Sequence, residues 1–117
     1  MRFGKLLQKD APGWEKHLPA VKIEKCAQCS CPIVKVTVGK ETPHPNKLEH
    51  HIKYVNLYAK EEGDRPAVTV GKADFGPTFA EPKVTFNVML QKTSELIAVE
   101  YCNIHGLWDN SVKVEVE

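Results

Sequence analysis

The sequence predicts an all-β fold, an immunoglobulin-like antiparallel β-sandwich or barrel of about seven strands. Several segments alternate apolar and polar residues with period two, which is the pattern of half-buried strands. Turn sequences such as EEGDRP and FGPTFAEP separate these segments. No stretch of a dozen residues carries the apolar stripe of a helix, so an all-β domain is favoured.

The alternation also places the individual strands. In IVKVTVG, residues 33–39, the valines at 34, 36 and 38 fall on one face. The segment IKYVNLYA at 52–59 is rich in aromatic and β-branched residues, which favour strands. Further strands are expected at 67–71, 83–90, 95–102 and 111–117, with a weaker candidate at 20–25. The first ten residues are compatible with one short helical turn.

Length and composition bound the class of protein. A chain of 117 residues is long enough to bury its own core, so residues 1–117 are expected to form one domain, with 1–19 as an N-terminal arm. The formal net charge of +1 gives no reason to expect a nucleic acid or an anionic membrane as partner. The N-terminal segment has no apolar stretch long enough for a signal peptide or a membrane span. A cytoplasmic location is therefore expected.

Four cysteines are present, and their spacing argues against a disulfide framework. Cys26, Cys29 and Cys31 lie too close together for one, and Cys102 is distant. In a reducing compartment such thiols are more often metal ligands, redox groups or packing residues than structural bridges. For the first three, a reversible Cys-x-x-Cys disulfide and simple packing are favoured equally, ahead of a second metal cluster.

Residues capable of binding a metal occur in three places. The first holds Glu15, Lys16 and His17, ahead of the first expected strand. The second is the loop TPHPNKLEHHIKY with His44, His50 and His51, and the third is YCNIHGLW with Cys102 and His105. Loops of a sandwich gather at its two ends, so these groups can converge on one ion. Adjacent side chains at a strand entrance point to opposite faces, so His51 is expected behind the ligands or at the surface.

Three ligand sets are compatible with these residues. A structural zinc could use Cys26 and Cys29 with Cys102 and His105, although 72 residues separate the halves. A blue-copper site would need a methionine shortly downstream of Cys102, but the only methionines are Met1 and Met89. The third set surrounds iron with four histidines and one cysteinate: His17, His44, His50, His105 and Cys102. It uses four of the five histidines and leaves one octahedral position open for a small molecule.

Three segments resemble the signature segments of a known family. EKH, HPNKLEHHI and YCNIHGLW are similar to those of the superoxide reductases, or neelaredoxins, and of the catalytic domain of desulfoferrodoxins. The resemblance continues through VTVGKE and covers most of the chain from Glu15 onward. It implies one mononuclear non-haem iron per chain, with the four histidines equatorial, Cys102 axial and the position opposite the sulfur open.

The resemblance also implies an activity and the roles of two further residues. The family reduces superoxide to hydrogen peroxide with two protons and one electron from an external donor, commonly rubredoxin. The reaction detoxifies superoxide under oxidative stress. Glu15 resembles the glutamate that can occupy the sixth position in the resting ferric state. Lys16 is expected to attract superoxide to the mouth of the site. The chain is similar to the one-iron class, since no additional four-cysteine iron domain is expected within it.

Sandwich domains with exposed edges often self-associate, so a homodimer or homotetramer is expected. The alternative to an enzyme is a non-enzymatic β-sandwich with a structural zinc or an electron-transfer metal site.

Overall fold

The computed structural model describes residues 1–7, 15–25 and 31–116, and within them nearly all regular structure is β-strand. Two short 3₁₀ helices span Phe3–Leu6 and Glu15–His17. Seven strands follow in this part of the chain: β1 Pro19–Lys25, β2 Pro32–Val38, β3 Ile52–Glu61, β4 Val68–Asp74, β5 Lys83–Asn87, β6 Ser94–Cys102 and β7 Gly106–Val114.

The strands form two antiparallel sheets. One has the order β1-β2-β5 and the other has the order β4-β3-β6-β7. This arrangement confirms the predicted all-β antiparallel sandwich of about seven strands.

The core lies between the inner faces of the two sheets. Val34, Val36 and Val38 are buried along one face of β2, as their alternation predicts. From the other sheet, Leu57 and Leu96 are fully buried against them in the same cluster. Burying such a side chain contributes roughly 1.5–3 kcal/mol, so this cluster supplies much of the stability of the fold.

The last strand begins earlier than expected. The sequence predicts it at 111–117, whereas β7 spans Gly106–Val114 and pairs with β6 from Gly106 opposite Cys102. Gly106 has φ +84°, a conformation that glycine adopts without strain. The chain can therefore reverse within the three residues between Cys102 and Gly106, and strand pairing resumes at once.

Strand register brings the three ligand-bearing segments to one end of the sandwich. Pro19 pairs with Val38, so the helix carrying His17 and the loop after β2 leave the three-stranded sheet at the same end. Ile52 pairs with Cys102, which places the end of that loop beside the β6–β7 turn. The two sheets are joined here by Asn110, whose Nδ2 donates to the carbonyl of Pro19 at 3.0 Å.

Among the described residues, no helix is both long enough and apolar enough to span a membrane.

Candidate metal centre

Three histidines and one cysteine meet at this end of the sandwich. One ligand atom from each of His17, His44, His50 and Cys102 lies within 4.8 Å of all the others. His17, His44 and Cys102 are buried, and His50 is half-buried. Residues far apart along the chain thus form one compact group of nitrogen and sulfur donors.

His105, the fifth predicted ligand, lies against this group. Its Nδ1 is 3.1 Å from Nε2 of His17 and 3.8 Å from Sγ of Cys102. Its ring centroid is 5.1 Å from that of His50. The structure therefore brings all five predicted metal-binding side chains to one place.

A short helix and an aromatic ring position His17. The helix Glu15–His17 ends at this residue just before β1, and the His17 ring stacks on Trp108 with centroids 4.9 Å apart. The rings of His44 and His105 meet it edge-on. Trp108 also donates from Nε1 to the carbonyl of His105 at 3.2 Å. One buried indole thus contacts two of the candidate ligands.

The loop after β2 fixes the tautomer of His44. Nδ1 lies 2.7 Å from the carbonyl of Pro45, which can only accept, so Nδ1 carries the proton. The lone pair of Nε2 then faces the cluster, 3.4 Å from Sγ of Cys102. The loop approaches Gly39 closely, since a Cβ built there would lie 2.6 Å from the backbone nitrogen of His44. Because Gly39 also has φ +77°, a side chain at this position would displace the loop.

The β6–β7 turn directs a backbone amide at the sulfur. The N–H of His105 donates to Sγ of Cys102 at 3.3 Å. Such a bond stabilises the charge of a thiolate and tunes its donation to a metal.

Burial sets the protonation of the cluster. Together with the smaller effect of the nearby imidazoles, it lowers the pKa of His17 to about 4. Burial also lowers the pKa of His44 to about 4, against the opposing effect of the Pro45 carbonyl, and lowers that of His50. The pKa of the Cys102 thiol is raised by burial, although the amides of His105 and Ile104 oppose the shift. At neutral pH these three imidazoles therefore present lone pairs, while the thiol keeps its proton until a metal displaces it.

These residues fit a transition metal. Imidazole nitrogen and thiolate sulfur together suit iron, copper and zinc, and do not suit magnesium or calcium. Nε2 of His50 is buried within the cluster and receives no hydrogen bond from the residues that the structure describes. A buried nitrogen without a hydrogen bond is costly, and a metal ion would satisfy it.

Lys16 lies beside the cluster. Its side chain is half-buried, and its positive charge is among the causes that lower the pKa of His17, His44 and His50. The charge of Lys16 thus reaches the centre. Glu15 starts the same helix, but its side chain lies outside the described part of the structure.

Two other residues considered from the sequence, Cys26 and Cys29, also lie outside the described residues. Cys31 is described, half-buried, and precedes β2. Pro32, the residue after Cys31, pairs with Lys25 at one end of the β1–β2 ladder, and Pro19 pairs with Val38 at the other end, where the metal-binding group lies.

Sequence reasoning missed two asparagines that hold the His44–His51 loop. Asn46 accepts from the N–H of Thr78 at 2.9 Å and donates to the carbonyl of Ala80 at 3.1 Å. Asn103 accepts from the N–H of His51 at 2.8 Å. Asparagine is common in loops, so only the unusual density of histidines around these positions could have drawn attention to them.

His51 does not join the metal-binding group. It is buried, and its Nδ1 donates to the carbonyl of Lys47 at 3.0 Å, within its own loop. This position behind the candidate ligands is one of the two that the sequence left open.

Known proteins resemble the chain over most of its length. A family model described as Desulfoferrodoxin matches residues 9–111. The superoxide reductase of Pyrococcus furiosus is 42% identical over 113 residues, covering 86% of this chain and 90% of that protein. The neelaredoxin of Megalodesulfovibrio gigas is 35% identical over 116 residues, covering 88% of this chain and 89% of that protein.

A solved structure agrees with these sequence matches. The reduced superoxide reductase (neelaredoxin) of Archaeoglobus fulgidus is similar with a TM-score of 0.83 at 35% identity, covering 95% of this chain and 99% of that one. The matches confirm the resemblance that the three motifs indicated, and the chain belongs to the desulfoferrodoxin family.

Proposed function

We propose that this protein is a superoxide reductase, an oxidoreductase that reduces superoxide to hydrogen peroxide at one iron ion per chain. The observation that carries the proposal is the close approach of His17, His44 and His50 to the single thiol of Cys102. His105 is the fifth proposed ligand, supported by its contacts with His17 and Cys102. Relatives named superoxide reductase support the assignment.

The composition of the cluster favours iron over zinc. A structural zinc site is closed by four ligands, commonly with two or more cysteines. Here the described donors are four imidazoles and one thiol, five in all. Five donors leave one octahedral position for a small molecule, as a redox enzyme requires.

The described structure also disfavours a blue-copper centre. Such a centre commonly adds a weak axial methionine to two histidines and one cysteine. Met1 and Met89 are the only methionines of the chain, and both are at least 85% exposed. Neither side chain therefore belongs to the buried cluster.

In this proposal each residue has a defined task. When bound, iron supplies a one-electron couple, so superoxide, one electron and two protons together give hydrogen peroxide. The neutral imidazoles hold the ion without adding negative charge, and the Cys102 thiolate donates electron density to it. The N–H of His105 moderates that donation through its bond to Sγ. The buried indole of Trp108 excludes water from the face of His17 that it covers.

Lys16 guides the anionic substrate in this proposal. A positive charge at the mouth of a site raises the rate at which an anion arrives, by a factor of about 10 or more, and salt screens the effect. The influence of Lys16 on the pKa of three cluster histidines supports this role, because superoxide in the same place would feel the same charge.

Glu15 is the proposed sixth ligand of the resting ferric state. The support is its place two residues before His17, at the start of the same short helix, together with its resemblance to the family motif. With ferrous iron bound, the carboxylate would move aside and leave that position to the substrate.

The partners and setting of the protein belong to the same proposal. The electron donor is a small one-electron carrier such as rubredoxin, and the location is cytoplasmic. Assembly into a homodimer or homotetramer is supported by large apolar side chains left exposed on the described surface, among them Phe3 and Phe79.

Pulse radiolysis of the iron-loaded, reduced protein tests the proposed reaction. We expect rapid second-order loss of superoxide, one ferrous centre oxidised per superoxide consumed, and hydrogen peroxide without dioxygen. Evolution of dioxygen with continued turnover in the absence of a donor would identify a dismutase instead. Superoxide decay at the rate of the buffer alone would show that the centre has another role.

A further inference from the structure

The β3–β6 ladder continues for one residue pair beyond the two strands, and a side chain completes it. The last pair of the two strands is Ile52 with Cys102, which follows a shift of register between Tyr54 and Ile52. Beyond it, the N–H of Asn103 donates to the carbonyl of His51 at 3.2 Å. In the opposite direction, the N–H of His51 donates to Oδ1 of the Asn103 side chain at 2.8 Å and not to the backbone carbonyl of Asn103. Asn103 thus substitutes its amide oxygen for a backbone carbonyl at the point where the chain turns toward Gly106.

These bonds fix two peptide planes that adjoin candidate ligands. The N–H of His51 belongs to the peptide that follows His50, and the N–H of Asn103 belongs to the peptide that follows Cys102. Holding both planes fixes the backbone directions from which the imidazole of His50 and the thiol of Cys102 project. The pair His51–Asn103 therefore couples the positions of two donors that are distant in sequence.

The same loop is fastened twice more. Nδ2 of Asn103 donates to the carbonyl of Glu49 at 3.1 Å. His50 and Lys47 exchange backbone hydrogen bonds of 2.8 and 3.1 Å, which close the tip of the loop. The amide of Asn103 is thus the link between this closed loop and the β6–β7 turn.

We propose that Asn103 is a positioning residue of the metal centre, which keeps His50 and Cys102 preset for coordination before a metal binds. This inference rests on the metal centre proposed above. Removing the amide leaves the N–H of His51 and the carbonyl of Glu49 without these partners and frees the loop to move against the turn. The metal must then order the two segments itself, which weakens its binding.

Cobalt(II) binding to the reduced, metal-free protein tests the inference, because cobalt bound to a thiolate absorbs light and needs no turnover. The variant Asn103→Ala is expected to bind cobalt about 10-fold more weakly and to release it faster to a chelator, the size of effect seen when a residue that supports a metal ligand is removed. Asn103→Ser, which cannot place both an acceptor and a donor where the amide does, should change in the same direction. The matched control is Asn87→Ala. Asn87 is exposed on β5 opposite Ile33, at the end of the three-stranded sheet away from the metal-binding group.

The outcomes separate this inference from the proposed function. If the parent protein binds no cobalt through its thiolate, the proposed metal centre is wrong. If the parent binds cobalt and a folded Asn103 variant matches its affinity and release rate, the positioning role alone is wrong. If neither Asn103 variant folds by circular dichroism while Asn87→Ala does, Asn103 is a general stability residue and the inference also fails.

Discussion

Nε2 of His44 lies 3.4 Å from Sγ of Cys102, although 58 positions separate the two residues in the chain. The approach follows from strand pairing, since the loop that carries His44 leaves β2 beside Pro19 and rejoins the sheet at Ile52, opposite Cys102. The hydrogen bond from His44 Nδ1 to Pro45 points the lone pair of Nε2 toward the sulfur. The relationship is that of two donors arranged to share one metal ion.

Removing the charge of Lys16 should slow the arrival of superoxide. For Lys16→Ala we expect the second-order rate constant at low salt to fall about 10-fold and its dependence on salt to become weaker. Pulse radiolysis over a series of ionic strengths measures both. Lys113→Ala is the matched control, because Lys113 is exposed and lies opposite Glu95 in the β6–β7 ladder, at the other end of β6. Equal kinetics of Lys16→Ala and the parent at every salt concentration would refute steering.

Replacing Glu15 should affect the oxidised state and not the first encounter. For Glu15→Ala we expect an altered visible spectrum of the oxidised protein, because a carboxylate no longer reaches the sixth position. The initial rate of reaction of the reduced protein with superoxide should stay within about twofold of the parent, since we propose that Glu15 does not hold the sixth position in that state. A comparable change in both measurements would mean that Glu15 is not the sixth ligand.

Metal binding near neutral pH should release about one proton per ion. The pKa values of His17 and His44 are lowered to about 4, so both rings are already neutral at pH 7 and release nothing. The pKa of the Cys102 thiol is raised, so the thiol is protonated until a metal binds. Titration calorimetry with zinc in buffers of different ionisation enthalpy counts the protons, and Cys102→Ser should release none. Release of two or more would show that the histidines are protonated in the folded protein.

Glu100 should make the metal-free protein less stable as the pH rises. Burial raises the pKa of this fully buried carboxyl to about 9, above the ordinary value of 4.5. Between these values the folded state keeps a proton that the unfolded state loses, so the free energy of unfolding falls with pH by at most about 1.4 kcal/mol per unit. The contribution is fully present below pH 4.5 and is lost as the pH rises toward 9.

Urea unfolding of the metal-free protein between pH 7 and pH 9 measures this effect, above the range in which the cluster histidines titrate. Glu100→Gln should remove most of the slope, whereas Glu62→Gln, at an exposed position, should keep it. An identical slope in the parent and in Glu100→Gln would show that Glu100 is ionised in the folded protein.

The sequence predicts the sheets well because their signal is local. Alternation along β2 places Val34, Val36 and Val38 inside, and the structure agrees. The same alternation along β6 puts Glu100 on the inward face with Leu96 and Cys102. Sequence analysis does not predict this burial, because glutamate is rarely fully buried. The start of β7 was misplaced because a turn of three residues that contains His105 has no apolar alternation to mark where pairing resumes.

The candidate site was predictable only in its most distinctive residues. Four histidines and a cysteine in three short motifs are rare enough to be noticed together. The contacts that support these ligands are not predictable from the sequence. The hydrogen bond from the His51 N–H to Asn103 and the stacking of Trp108 on His17 depend on strand register and loop geometry. A turn asparagine and a strand tryptophan have many ordinary reasons to occur.

The most direct test of the central claim is the metal content and oxidised visible spectrum of the purified protein, compared with those of Cys102→Ser. We predict about one iron per chain and a thiolate-to-ferric absorption band, which the folded Cys102→Ser variant lacks because its hydroxyl cannot replace the thiolate. Stoichiometric zinc with no colour after oxidation, or a band that survives in Cys102→Ser, would contradict an iron centre built on Cys102.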